Sequence, residues 1–418
     1  MSLNIVSFKD APLEIIDGDR GKNYPKKNEF KDEGHCLFLN AKNVTDNGFD
    51  FTTNMYISEE KDNLLKKGKL RRGDIVLTTR GTVGNMALYD DEVPFDNVRI
   101  NSGMLILRPQ KEIINEFLYW SLKSDFFKKQ IFSIKSGTAQ PQLPITTLNK
   151  LKFYLPNLDI QKEIVDILSN LNEKIIILKD MNDKLEKIIK IIFNYWFLQF
   201  DFPNISNRPF NSSGGKMIYN SELDFKIPKG WTIGSLDDIA EYINGLPCQK
   251  HRPIDESKKL PVIKITEMHE GFTNKTEFVR SDIDDKHIIN DGDILFSWSA
   301  TLETMIWTGG KGGLNQHIFK VIPKDYGRYY VYMMLSTYIV NFVRMAESRK
   351  TTMGHITKDH LLQSKIPLPP KDLTYKFDKL IYPLFEKIIA NDVEIRKLDS
   401  LMEFILPLLM SGKVGFDK

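Results

Sequence analysis

Cysteine is nearly absent from this 418-residue chain, which has only Cys36 and Cys248. Two thiols so far apart in sequence build neither a disulfide framework nor a cysteine-rich metal site. Free thiols in a reducing compartment are expected. Charge of one sign is also lacking: 58 Lys and Arg against 55 Asp and Glu leave a formal net charge of +3. A protein that coats polyanions or acidic membranes through bulk charge would be more basic, so any nucleic-acid contact must come from local patches. Long apolar runs are missing too. The longest, Tyr329–Val343, is broken by Ser336, Thr337 and Asn341, and it falls short of the ~20 residues a membrane span needs. The opening MSLNIVSFKDAPLE has no basic-then-apolar leader layout. A cytoplasmic chain with no membrane association is expected.

Recognisable catalytic motifs are equally scarce. His269-Glu270 continues Gly-Phe-Thr rather than completing a zinc-protease motif, and no Gly-x-x-x-x-Gly-Lys-Ser/Thr loop or Gly-x-Ser-x-Gly elbow occurs. Gly81-x-x-Gly84 and the Gly309–Gly313 run lack a strand-turn-helix phosphate motif and read as hairpin turns. Asp19 with Glu29-Phe30-Lys31 has the outline of a metal nuclease, a spacing that ordinary charged composition also produces. The Asn/Asp-Pro-Pro-aromatic loop of amino-methyltransferases is absent. No catalytic, metal or cofactor site is assigned.

What is present is repetition. Composition is 41% hydrophobic and 27% charged, ordinary for globular domains. The chain matches itself at an offset of roughly 210 to 220 residues, the first thing to seek in a long sequence. Gly73-Asp74-Ile75-Val76-Leu77 aligns with Gly292-Asp293-Ile294-Leu295-Phe296, and Asn101–Pro109 with Asn315–Pro323. Phe117–Trp120 aligns with Tyr330–Met333, and Ile145-Thr146 and Pro156 with Ile356-Thr357 and Pro367. Each copy has short β-rich runs: Cys36–Leu39, Asp74–Thr79, Met86–Tyr89 and Met104–Leu107, then Pro261–Thr266, Asp293–Trp298, Thr304–Thr308 and His317–Ile322. An amphipathic helix follows, Ile113–Lys129 or Tyr329–Met345, and a proline-flanked strand closes each copy.

Each copy ends in a heptad pattern. The first seam is Ile164, Leu171, Leu178, Leu185 and Ile192, with companions Ile167, Lys174, Met181, Ile188 and Tyr195. The second is Ile381, Ile388, Ile395, Met402 and Leu409, with companions Leu384, Asn391, Leu398 and Ile405. Lys174 and Asn391 are the polar interruptions, and Pro383 and Pro407 are expected to kink the second helix near its ends. Two such helices in one chain most simply pack antiparallel; the alternative is that each packs on its own domain. The expected class is α+β, with two similar domains and two long coiled-coil helices. The boundaries are 1–158, helix 159–200, linker 201–222, 223–370, helix 371–412 and tail 413–418.

Surface chemistry concentrates in loops. Lys61, Lys66, Lys67, Lys69, Arg71 and Arg72 crowd one short run, which is a phosphate-binding patch or simply a solvated face. Corresponding loops differ while their frames agree: Thr78-Thr79-Arg80-Gly81 stands against Ser297-Trp298-Ser299-Ala300. Candidate nucleic-acid contacts are Thr79, Arg80 and Lys135, then Trp298, Ser299, Lys311 and Arg349, with Trp298 equally suited to a core. Trp196 and Phe197 are too bulky for water, so they cover a partner or pack in a core.

Several segments together resemble the specificity subunits of type I restriction-modification systems. Leu185–Phe200 is similar to the end of that family's first conserved helix. Ile227–Trp231 with Leu236–Ile239 is similar to the opening of its second target-recognition domain. Leu406–Val414 is similar to its C-terminal signature, and Leu151–Pro156 with Gln161-Lys162 and Ile164-Val165 to the start of the first helix. The start of the second helix, Pro369–Phe377, departs by lacking the usual Glu-Gln pair. The resemblance implies a non-catalytic DNA-recognition subunit whose two domains each read half of a bipartite duplex site, the helices setting the spacer. Two modification subunits with S-adenosylmethionine would methylate adenine, and restriction subunits would act with ATP and Mg2+. The alternatives are a coiled-coil protein scaffold and a degenerate nuclease or methyltransferase.

Overall fold

The computed structural model describes residues 4–135, 142–299, 301–348 and 356–411, leaving out the side chains of 135 and 345–348. Two compact units emerge. One gathers the residues up to Lys174 with those from Asp399 onward; the other is Ile175–Leu398. No described helix is long and apolar enough to cross a membrane.

The first unit is built on an antiparallel sheet in the order Leu13–Asp17, Met104–Pro109, Asp74–Thr78, Met86–Tyr89. Gly73 takes φ 90° to turn the chain into the central strand, a region glycine enters without a Cβ clash. Alternation then sorts the side chains. Ile75, Leu77, Leu105 and Leu107 face the cluster holding Phe117, Leu118 and Phe153. Val76, Met104 and Ile106 face a second cluster with Leu37, Val98 and Ile100. That second face is covered by Tyr56–Ile57, Cys36–Leu39 and Val98–Ile100, the last two parallel. Ile5–Ser7 pairs with Lys152–Tyr154 to close the unit.

The second unit repeats this topology. Its sheet runs Ala240–Asn244, Ile318–Pro323, Ile294–Ser297, Glu303–Ile306. Lys259–Ile263 and Gly312–Leu314 form the parallel pair, and Thr232–Gly234 pairs with Ile366–Leu368. Gly292 repeats the turn at φ 93°. The Gly73 amide donates to the Tyr89 carbonyl at 2.8 Å and the Gly292 amide to that of Trp307 at 2.6 Å.

The structure corrects several sequence expectations. The match near the turn shifts by two residues. Leu143 and Ile356 are the equivalents, each donating its amide at 3.0 Å, to Thr79 and Trp298 respectively. The closing strands likewise make Pro156 the equivalent of Pro369 rather than Pro367. The helix expected over 113–129 is two, Asn115–Lys123 and Asp125–Lys135, broken where the Ser124 hydroxyl donates to the Ser121 carbonyl at 2.6 Å. Its counterpart, Arg328–Ser348, is continuous. The segment read as linker holds the strand Met217–Asn220, paired with Phe225–Pro228. Its Asn residues cap turns: Asn220 Oδ1 accepts the amides of Glu222 and Leu223 at 3.0 and 3.1 Å. Phe202 stacks on Phe210 at 4.7 Å and on Trp231 at 5.7 Å. Gly81–Gly84 is the expected hairpin turn, but Gly309–Gly313 is not. It leads from Glu303–Ile306 in one sheet to Gly312–Leu314 in another.

The long helices are Leu158–Phe193, continued by a wider π turn over Asn194–Leu198, and Lys371–Met410, which passes through Pro383 and Pro407 without a break. They pack together in antiparallel sense. In the first unit Ile164 and Leu168 share a core with Met402, Ile405 and Leu409. In the second, Ile189 and Phe193 meet Phe377, Ile381, Phe385 and Ile388. The seam residues Ile164, Leu178, Ile381, Ile388, Ile395 and Leu409 are buried, while Leu171, Leu185, Ile192 and Met402 are half-buried. The companion set of the first helix lies one residue later than expected. Leu168, Ile175, Asn182, Ile189 and Trp196 are buried, whereas Ile167, Lys174, Ile188 and Tyr195 are exposed. Its buried polar interruption is therefore Asn182, not Lys174. Asn391 donates its amide to Asn182 Oδ1 at 2.7 Å, and Asn182 donates to Asp392 Oδ1 at 2.7 Å. Burial raises the Asp392 pKa, partly offset by hydrogen bonds from Thr308 and Asn182.

Candidate nucleic-acid interface

In the first unit a cleft of about 250 Å³ opens where the strands Leu13–Asp17 and Asp74–Thr78 end. Asp17, Arg20, Thr79, Arg80, Gln142 and Thr146 supply its polar lining. The frame is rigid. Thr79 and Arg80 amides both donate to the Gly103 carbonyl, at 2.8 and 3.2 Å, and Arg80 bridges to Gln142 through the backbone. The Thr79 hydroxyl also donates to Gly103 at 2.9 Å and the residue is buried, so Thr79 holds the loop rather than projecting from it. Arg80 projects: it is exposed and has no acidic partner among the described residues. Arg20, which carries no motif in the sequence, joins it. Its guanidinium lies 3.0 Å from Asp17 Oδ2 and donates to Oδ1 at 3.1 Å and to the Ser102 carbonyl at 3.4 Å.

The second unit places the equivalent frame at Asn244, Trp298, Ser299 and His317. Asp17 pairs with Leu105 as Asn244 pairs with Phe319, and the Trp298 amide donates to His317 as that of Thr79 does to Gly103. Trp298 is half-buried against Phe319 at 5.8 Å, with Nε1 donating to Asn244 Oδ1 at 3.2 Å. Ser299 is buried, while Lys311 and His317 are exposed. Lys135 ends its helix with a side chain outside the described residues, and Arg349 lies wholly outside them.

The basic run divides. Lys61 pairs with Glu29 at 2.7 Å, and Arg72 with Asp96 at 2.9 Å. Lys69 and the buried Arg99 both pair with the buried Asp62. Burial would raise the Asp62 pKa, but the hydrogen bonds from Lys69 and Arg99 outweigh it and lower it. Lys66, Lys67 and Arg71 are exposed and lack an acidic partner among the described residues. The nuclease outline comes apart: Asp19 accepts the amides of Lys66 and Lys67 at 2.5 and 3.1 Å, whereas Glu29 holds Lys61.

Trp196 and Phe197 are core residues rather than a partner-facing surface. They are 9% and 0% exposed and pack on Phe377 at 5.7 and 5.1 Å. Both continue the buried face of the helix, Trp196 seven residues after Ile189 and Phe197 four after Phe193.

The second helix starts at Lys371 despite lacking the Glu-Gln pair. Gln161 accepts the Ile114 amide at 2.9 Å and donates to the Glu112 and Pro156 carbonyls. At the same place Thr374 accepts the Gly327 amide at 3.0 Å, and Asp378 accepts those of Tyr329 and Tyr330.

The family model of the type I restriction modification DNA specificity domain matches residues 13–187 and again 228–402. The chain therefore belongs to this family, as a DNA-specificity subunit of the type I restriction-modification kind. It is 25% identical to the type I restriction enzyme MjaIX specificity subunit of Methanocaldococcus jannaschii, over 87% of this chain and 84% of that one. It is 24% identical to the HindI specificity subunit of Haemophilus influenzae, over 95% and 98%. The crystal structure of a type I restriction-modification S subunit from M. genitalium shares the fold, with a TM-score of 0.58 at 14% identity over 98% of this chain and 96% of that chain.

Proposed function

We propose that each unit reads one half of a bipartite duplex site and that the paired helices are the ruler for the unread spacer, the two units being related by a pseudo-twofold repeat. One observation carries this reading: the same strand order and loop frame recur in both units, while the side chains on the frame differ. Matched frames with divergent loops suit a protein that reads two different sequences. Lys66, Lys67 and Arg71 would hold phosphates, an affinity that weakens with salt. Arg80, Arg20, Trp298 and Lys311 would face the duplex, with Lys135 and Arg349 as further candidates.

Two modification subunits carrying S-adenosylmethionine would methylate a flipped adenine in each half-site. Restriction subunits with ATP and Mg2+ would cleave. The chemistry belongs to those partners, and this chain is non-catalytic. In place of Trp196 and Phe197, the exposed apolar residues Ile176, Ile177 and Ile191, with Leu380, Tyr382 and Phe404, are the partner-facing candidates.

The test is selection from a random duplex pool, using the chain with its modification subunit. Two short fixed blocks with a constant gap are expected. A flat pool would leave the protein-scaffold reading, and calorimetric binding of S-adenosylmethionine by the isolated chain would favour the degenerate enzyme.

A further inference from the structure

We infer that the cleft of the first unit selects guanine through Arg20 and Arg80, and that the second unit carries neither arginine at the corresponding positions. The inference rests on the proposed reading of duplex DNA and goes beyond it to the base class. Guanine shows two acceptors, O6 and N7, in the major groove, and a guanidinium matches both. The match discriminates only if the guanidinium is held in one orientation.

Arg20 is held so. Asp17 takes both contacts through one terminal nitrogen, with the Ser102 carbonyl on that nitrogen as well. Both parallel donor edges of a guanidinium include that nitrogen, so Arg20 keeps only single, diverging donors for a ligand, and the open fork in the cleft is that of Arg80. Its side chain is 54% exposed. Arg80 sits in the same cleft on backbone fixed by Gly103 and Gln142, with no carboxylate to neutralise it among the described residues. An exposed cation on rigid backbone beside a carboxylate-braced arginine is a built recognition element.

The second unit sharpens the point. Gly18 and Gly245 each lie so close to a carbonyl, of Asn101 and Asn315, that an added Cβ would meet it at 2.1 Å. That contact fixes the correspondence of the two loops. Counting on from it, Pro247 stands at the place of Arg20, and Ser299 stands at the place of Arg80. Neither presents a fork of donors.

The assembled chain and modification subunit are used throughout. Wild type is expected to enrich guanine at a defined position of one block. Replacing that guanine by 7-deazaguanine, which lacks N7, should weaken binding in fluorescence anisotropy by at least about fivefold, the lower end for a bidentate contact. Arg20→Ala and Arg80→Ala should erase the guanine preference in that block and leave the other block unchanged. Asp17→Asn keeps the arginine's charge but loosens it, so the preference should blur with no fall in total affinity. Unchanged thermal melts exclude misfolding of these variants. Two results overturn the inference while leaving the proposed function intact: blocks without guanine at a position sensitive to the arginine variants, or variants that weaken all duplexes equally and reduce the salt slope, as phosphate contacts do. A pool in which wild type enriches no block sinks both.

Discussion

The strand Val98–Ile100 in the first unit and Gly312–Leu314 in the second occupy the same point of the topology, and their middle positions are filled in opposite ways. Arg99 is buried and paired with Asp62. Gly313 has no side chain, and a Cβ built there would meet Val279 at 2.5 Å. One unit fills the slot with an ion pair, and the other lets neighbouring aliphatic groups close over a glycine. The glycine-rich run has this packing reason rather than a phosphate-binding one. The backbone layout tolerates either chemistry, so a shared topology says little about what fills each slot. Neighbouring side chains, not the strand, are what each solution depends on.

That dependence can be broken in order of size. Asp62→Ala leaves Arg99 buried and unpaired, so chemical denaturation should show a loss of about 3–5 kcal/mol; hydrogen exchange should place it in the first unit alone. Gly313→Val forces a branched side chain against Val279 and Ile283, and about 1–3 kcal/mol should be lost from the second unit.

The first turns of the long helices give a finer contrast. Gln161→Ala strands the Ile114 amide and two carbonyls, for a loss of about 1–3 kcal/mol, whereas Thr374→Val strands the Gly327 amide, a loss nearer ~1 kcal/mol. Equal effects would mean that these two helix starts are not alternative answers to one requirement.

The smallest effect is a matter of pH. Burial raises the Asp392 pKa, so the folded state binds more protons than the unfolded state between the two pKa values. Stability from this group therefore falls as pH rises from near 4 through the folded value. Asp392→Asn should gain stability at pH 7 relative to pH 4, by about 1.4 kcal/mol for every tenfold difference in proton affinity between the folded and unfolded carboxyl. A difference between variant and wild type that does not change with pH would refute it.

Much of this is readable from residues alone. Gly-Asp followed by three apolar residues marks both central strands, because a turn needing positive φ and a β-rich run leave a local trace. The heptads of the second helix are legible for the same reason. The companion positions of the first helix are not, because Ile167-Leu168, Ile188-Ile189 and Tyr195-Trp196 offer an apolar residue at either spacing, and only the opposing helix decides. The segment after Phe202 looks like linker because Asn and Ser also cap tight turns. Arg20 gives no signal because its relation to Arg80 exists only once the strands are paired. The π turn over Asn194–Leu198 leaves no periodic signature.

The Asn182–Asn391 bond has a bearing on inheritance. Two amides facing each other among aliphatic residues are matched in a single alignment of the helices, and a slide of one heptad would bury both without partners. A segment exchanged between related genes must therefore carry its amide at the corresponding place, or replace both at once. Recombinants that move one helix alone should be selected against even when every apolar position is preserved.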